Sequence, residues 1–268
     1  MGWVTNPLTG LTRMRTTEYV HASARLVLMG ALELESSGAA VALPASARRL
    51  LAFLGLRRGP LARVYVAGQL WLDSTEARAG ACLRSALWRL NRVAGDVVWS
   101  NGRELGLADR VEVDCDAVAA AAQEVLSTAG PVRAELAPLL CESDDLLPDW
   151  YDDWAEVERE RFRQIRLHAL ERLCERLTAE GRFAEALEAG LAAVRAEPLR
   201  ESAHRAMISM HLAEGNVGEA VRQYATCTRL MSTELGVRPS GQIERLVAEG
   251  VALRKARRGR PERRRRCA

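Results

Sequence analysis

A mainly α fold is predicted: an N-terminal winged helix-turn-helix with a small antiparallel sheet and a wing hairpin, then a tetratricopeptide-like all-α domain. Three observations predict it. The hydrophobic period changes from two to helical near residue 46, an Asn-Gly turn follows the third helical segment, and a repeat with an offset of 34 residues occupies the last third. At roughly 150 residues per domain, 268 residues allow one large domain or two ordinary ones. Its 48% hydrophobic and 27% charged residues place it among globular proteins and exclude a fibrous or wholly disordered chain.

Residues 1–24 are polar and irregular and are expected to form a disordered leader, with Met14 as an alternative start. From Arg25 a period of two begins: Leu26, Leu28, Leu32 and Leu34 share one parity, and Glu35-Ser-Ser-Gly38 signals a turn before Val41 and Leu43. A first helix starts after Ser46, at an N-cap position, carries Leu50, Leu51, Leu54 and Leu56, and stops at Gly59-Pro60. A second runs from Val64 to Trp71. Asp73-Ser-Thr-Glu76 caps a third that reaches Ala94 and ends at Gly95. Val97-Val-Trp99, the Asn101-Gly102 turn, and Leu105 with Leu107 give the hairpin. These elements set a first domain at 25–113.

The third helix divides into two faces. At 100° per residue, Ala79, Leu83, Leu87, Leu90 and Ala94 share a core sector, while Arg78, Ser85, Arg89 and Arg92 lie opposite, with Trp88 and Arg84 on one flank. Arginine forks and a small hydroxyl suit a major groove, where guanidinium bonds guanine bidentately or holds phosphate. Arg103 beside the hairpin tip, and Arg48 and Arg49 at the start of the first helix, complete the predicted DNA-binding set; each also reads as ordinary surface charge. The net charge of +3 hides a segregation: residues 46–103 carry +7, the stretch from Leu253 onward carries +8, and −12 remains elsewhere. Such a split points to a polyanionic partner. Arginine outnumbers lysine 37 to one, a bias that reads as genomic, so arginine number alone carries no argument.

Val111–Asp116 reads as a hinge into a second domain at 114–250, with Asp114 or Asp116 capping the next helix and breaks at Gly130-Pro131 and Pro138. The acidic, aromatic segment 144–154 leads into a long charged helix to Ala179. Ala179-Glu-Gly181 with Glu185-Ala186 recurs as Ala213-Glu-Gly215 with Glu219-Ala220. That is the tetratricopeptide period, and the small residues suit close helix approach in a short solenoid. The stretch 251–268 is expected to be a basic disordered tail adding nonspecific, salt-sensitive DNA affinity.

Six scattered cysteines with no CxxC pair fit neither a zinc knuckle nor a disulfide framework and read as reduced thiols. No phosphate-binding glycine loop, nucleophile elbow or HExxH occurs, and His204 and His211, expected at the surface or in a groove, lack a third ligand. No enzymatic activity, cofactor or metal is therefore expected. No window approaches 18 apolar residues and no signal core opens the chain, so a cytoplasmic location with no membrane partner is expected.

Ala47-Arg-Arg-Leu-Leu-Ala-Phe-Leu54, Leu70-Trp71 and Leu83-Arg-Ser-Ala-Leu-Trp-Arg-Leu90 resemble the DNA-binding domain of the Streptomyces antibiotic regulatory protein family. Leu146-Leu-Pro-Asp-Trp-Tyr-Asp-Asp-Trp154, Glu158-Arg-Glu-Arg161 and Glu197-Pro-Leu-Arg-Glu-Ser-Ala-His-Arg205 are similar to its bacterial transcriptional activator domain; together the resemblance covers about residues 25–250. It implies an OmpR-like winged helix, binding to promoter direct repeats, recruitment of RNA polymerase through its sigma and alpha subunits, and control of an antibiotic gene cluster. By family position Arg84, Ser85, Arg89 and Arg92 meet DNA. Asn91, where many members carry arginine, and Gly80 within the helix depart from the pattern, and no ATPase or sensor module is legible. A side-by-side dimer on DNA fits such sites. A tetratricopeptide adaptor and a ligand-responsive repressor stay open as alternatives.

Overall fold

The structure, a computed structural model, describes residues 24–258. It opens with β1 (Ala24–Val27), β2 (Glu33–Ser36) and β3 (Ala39–Ala40), then α1 (Ala45–Leu56), β4 (Leu61–Ala62), α2 (Arg63–Leu70), α3 (Glu76–Ala94), β5 (Val98–Ser100), β6 (Glu104–Leu107) and β7 (Val111–Val113). All later elements are helices: α4 (Asp114–Ser127), α5 (Leu136–Cys141), α6 (Asp153–Ala179), α7 (Phe183–Ala196), α8 (Glu201–Glu214), α9 (Val217–Leu235) and α10 (Gly241–Arg258). The mainly α winged-helix and repeat architecture stands. The expected leader lies outside the described residues apart from Ala24, which opens β1. The first eight residues of the stretch expected to be a disordered tail are helix instead, and the remainder lies outside the described residues. Among the described residues no helix is long and apolar enough to cross a membrane.

The single run of alternating leucines is two strands. Gly30, at φ +78°, reverses the chain, and Leu26 then faces Leu34 across the antiparallel pair, so parity survives the turn and Leu26, Leu28, Leu32 and Leu34 are all buried. Ser37 and Gly38, both at positive φ, form the next turn as predicted. α1 begins one residue earlier than Ser46, whose hydroxyl is buried without a partner; Pro44 occupies the cap position. Val111–Val113 is no hinge. It pairs in parallel with β1 and closes a four-stranded sheet of order β3-β2-β1-β7. Nor does Asp114 cap α4 through its side chain in the ordinary way: its carboxylate accepts from the backbone N–H groups of Leu28, Met29 and Cys115 at 2.8–3.0 Å and fixes the start of α4 to the end of β1.

The core of the winged helix is completed by residues from far down the chain. Leu146, Leu147, Trp154 and Ala155 belong to the same buried cluster as Leu50, Phe53, Leu83 and Leu90. The loop before α6 runs along the end of β1, with Gly30 N–H donating to the Asp145 carbonyl at 2.8 Å and Leu147 N–H to the Leu28 carbonyl at 2.9 Å. Trp154 meets Phe53 edge-on at 5.2 Å and Trp150 at 5.9 Å. Arg159 donates to the carbonyls of Leu146, Leu147 and Trp150 at 2.5–2.9 Å, satisfying a loop that has no ladder of its own.

Beyond this junction α6 packs on α7, α7 on α8, α8 on α9 and α9 on α10, while α8 also touches α6 and α10, the arrangement of stacked helical hairpins. The 34-residue offset is structural, but its glycines act differently from the expectation. Gly181 and Gly215 are turn residues at φ +74° and +91°, with open space around them, whereas Ala186 and Ala220 are fully buried. Close approach occurs at Gly190 and Gly250, where an added methyl would lie 2.5 Å from Met207 and 2.4 Å from Leu212. His204 and His211 are buried rather than exposed. His204 is fully satisfied, accepting from Gln223 at Nδ1 and donating from Nε2 to the Pro198 carbonyl, both at 2.8 Å.

Candidate nucleic-acid interface

α3 presents the two faces that its sequence requires. Ala79, Leu83, Ala86 and Leu90 are buried against α1 and α2, and Leu87 and Ala94 are half-buried beside them. Arg78, Arg84, Ser85, Trp88, Arg89 and Arg92 are exposed. Among the described residues none of these four arginines forms an ion pair, although carboxylates partner many arginines elsewhere. Ser85 donates its hydroxyl to the Ala81 carbonyl one turn back, which fixes its oxygen as an acceptor toward solvent. Trp88 is 59% exposed, and the Arg92 guanidinium lies 5.0 Å over its ring. This cation–π contact orients one fork on an otherwise mobile side chain. A methyl added at Gly80 would meet only the Arg84 guanidinium, at 3.6 Å, so packing does not require glycine there.

The wing is a hairpin of β5 and β6, to which β4 adds a third strand in the order β4-β6-β5. Its tip falls one residue later than Asn101-Gly102 suggests. Asn101 N–H bonds the Glu104 carbonyl, leaving Gly102 and Arg103 as the two central residues, and Gly102 takes φ +91°. The Asn101 side chain accepts from the N–H groups of Arg103 and Glu104, bracing the tip. Arg103 therefore sits in the apex itself and is exposed.

One cation belongs here that sequence reasoning missed. Arg63, the first residue of α2, donates to Ser100 Oγ at 2.6 Å, and its backbone N–H bonds the Arg103 carbonyl at 2.8 Å. It joins α2 to the wing at the edge of a groove of about 710 Å³ bordered by Val64, Leu72, Arg84 and Gly102. The available signal was its place at the start of the second helix, the element that crosses the backbone in a helix-turn-helix.

Two predicted residues point elsewhere. Arg49 is ion-paired to Asp152 at the N-terminus of α6, and Arg48 donates to the Leu32 carbonyl at 3.3 Å. The Asp152 pair ties Arg49 to the start of α6, while Arg48 stays exposed. Arg57 and Arg58 are likewise engaged, with Glu158 and Asp116. Other exposed arginines without an ion pair among the described residues, Arg25, Arg195, Arg229, Arg238, Arg245 and Arg254, are scattered over β1 and the helical half, whereas Arg78, Arg84, Arg89 and Arg92 lie together on one helix.

The chain matches the family model described as bacterial transcriptional activator domain over residues 101–250, more than half its length. It is 32% identical over 217 residues to the regulatory protein AfsR of Streptomyces coelicolor, covering 74% of this chain and 21% of that protein. The chain thus spans about a fifth of that relative. It also resembles the solved structure of Mycobacterium tuberculosis EmbR in complex with a low-affinity phosphopeptide, at a TM-score of 0.70 and 18% identity, covering 87% of this chain and 66% of that one. The likeness to EmbR is one of fold.

Proposed function

From the premise that the chain belongs to the bacterial transcriptional activator domain family, of the Streptomyces antibiotic regulatory type, we propose that it is a sequence-specific DNA-binding activator. Its part in transcription regulation follows from the family; the details are our reading. α3 lies in the major groove with Arg78, Arg84, Ser85, Arg89 and Arg92 toward base edges and phosphates, Trp88 holds Arg92 in place, and Arg103 and Arg63 reach the flanking backbone or minor groove. The observation that carries this is the clustering of four exposed, unpaired arginines on one helix. Charges on α3 have no carboxylate to satisfy them, which suits an anion from outside the chain. The helical repeat then recruits RNA polymerase, through its sigma and alpha subunits, to a promoter of an antibiotic gene cluster in the cytoplasm.

Footprinting on the region upstream of neighbouring genes tests the reading. Two protected half-sites in direct orientation are expected, as for side-by-side copies; inverted half-sites would require a two-fold dimer instead. No protection at moderate salt would refute DNA binding. Run-off transcription separates an activator from a repressor.

A further inference from the structure

The groove between α2, α3 and the wing tip has walls that a sugar-phosphate backbone does not call for. Val64 is 63% exposed and Leu72 68%, and the half-buried Trp71 lines the same space. Apolar surface of this kind gains by meeting an apolar body and gains nothing from a hydrated phosphate chain. Two cations stand with it. Arg63 gives one donor to Ser100 Oγ, and neither Arg63 nor Arg84 forms an ion pair among the described residues. Glu76 borders the groove as well, yet pairs with neither.

Two glycines widen the opening. Gly68 lies within α2 and Gly80 within α3, positions where glycine weakens a helix relative to alanine. A methyl added at Gly68 would meet nothing within 4 Å, and one at Gly80 only the Arg84 guanidinium. Packing inside the chain therefore asks for neither. Both line the groove, and a side chain at either would narrow it. At about 710 Å³, with apolar walls and a few polar groups, the space has the size and make-up of a small-molecule site.

We propose that this groove binds one small amphipathic anion, its apolar body against Val64, Trp71 and Leu72 and its acid head at Arg63 and Arg84, and that the bound anion displaces DNA from α3. Charge complementarity selects the sign of the ligand, and the exposed apolar walls select its body. The competition rests on the DNA-binding reading above, because Arg84 serves both; the binding of the anion does not.

Anilinonaphthalene sulfonate, an aromatic anion that fluoresces on leaving water, is titrated into the full chain, and decanoate and decanol, which share a tail and differ in charge, are used to displace it. Saturable one-to-one binding is expected, with decanoate displacing the probe at concentrations at least about tenfold below decanol, the scale of a charge-assisted hydrogen bond. Gly68→Leu, which fills the groove, is expected to weaken both anions at least about tenfold without lowering the melting temperature. Leu72→Ser, at a side chain already exposed, gives the same test should Gly68→Leu melt earlier. Arg84→Gln is expected to erase most of the preference for decanoate over decanol. In a gel shift, saturating decanoate should lower the parent's affinity for the footprinted fragment at least about tenfold and leave that of Gly68→Leu unchanged. Probe binding that the groove variants leave intact, or decanol matching decanoate, overturns the site. Decanoate that binds the groove and leaves DNA affinity unchanged overturns the competition. A parent that binds the probe but no fragment refutes the DNA-binding reading and leaves the anion site standing.

Discussion

The arginines of α3 and four of those in the junction and repeat are the same residue in opposite situations. Arg159 serves three carbonyls, Arg176 bonds the carbonyls of Val125 and Gly130, Arg182 binds Glu185 and the Val132 carbonyl, and Arg200 pairs with Glu171. Each of those forks fills its donors within the fold. On α3, Arg78, Arg84 and Arg89 face solvent with no counter-ion, and Arg92 has only the ring of Trp88. In a chain with 37 arginines, neither number nor a missing partner alone marks function, since Arg195, Arg229 and Arg245 of the repeat are also exposed without an ion pair among the described residues; four open forks on one helix do. Four open guanidinium groups side by side are available to one polyanionic ligand.

The strongest way to test the junction half of this contrast is Trp154→Ala. The indole is 6% exposed, touches Phe53 from the first half of the chain, and is covered by a loop that Arg159 holds. Its loss is expected to cost about 3–5 kcal/mol in urea unfolding, the range for a large aromatic removed from a core. A loss below about 1 kcal/mol would mean that the two halves fold independently.

Next in size is the open half. Arg89→Ala and Arg92→Ala should each weaken specific DNA binding by about 1–3 kcal/mol if they read bases, with unchanged unfolding midpoints. Whichever of them holds phosphate instead should lower the salt slope by about one. A drop in thermal stability without loss of affinity would reverse the assignment. Arg49→Ala supplies the control: stability should fall by about 0.5–1 kcal/mol through the partly exposed pair with Asp152, while gel-shift affinity stays within about twofold. Affinity loss comparable to that of Arg89→Ala would restore Arg49 to the interface.

How much of this was legible depended on sequence distance. The two faces of α3 follow from a 3.6-residue period within one helix, and the Ala186 and Ala220 repeat follows from a fixed offset, so both could be read directly. Arg49 and its partner Asp152 are 103 positions apart, and β7 pairs with a strand 87 residues earlier; no local pattern encodes either. The aromatic segment near residue 150 was legible as unusual but not as core, because its complement, Phe53 and the end of β1, lies in another part of the chain. A cut after residue 116 would accordingly strip Leu146, Leu147, Trp154 and Ala155 from the winged-helix core. Arg63 was missed for the opposite reason: its role depends on Ser100 across the groove, not on its own helix.

The smallest expected effect probes whether partnering always stabilises. Asp116 pairs with Arg58 at 3.3 Å, yet burial, the largest influence, pushes its carboxyl above the usual carboxylate range; Arg58 opposes the shift, and Asp114 nearby adds to it. A carboxyl raised in the folded state contributes stability only while protonated, below its ordinary pKa of about 3.9, and loses that contribution as pH rises through the folded value. At neutral pH the ionised group is therefore a net burden that its arginine does not fully offset. Asp116→Asn should leave the melting temperature at pH 7 equal or slightly higher, with the difference shrinking below about pH 4. The same substitution lowering the melting temperature at pH 7, and more so than in acid, would show that the Arg58 pair outweighs burial. Ion pairs at the junction would then be stabilising in themselves and not merely satisfied.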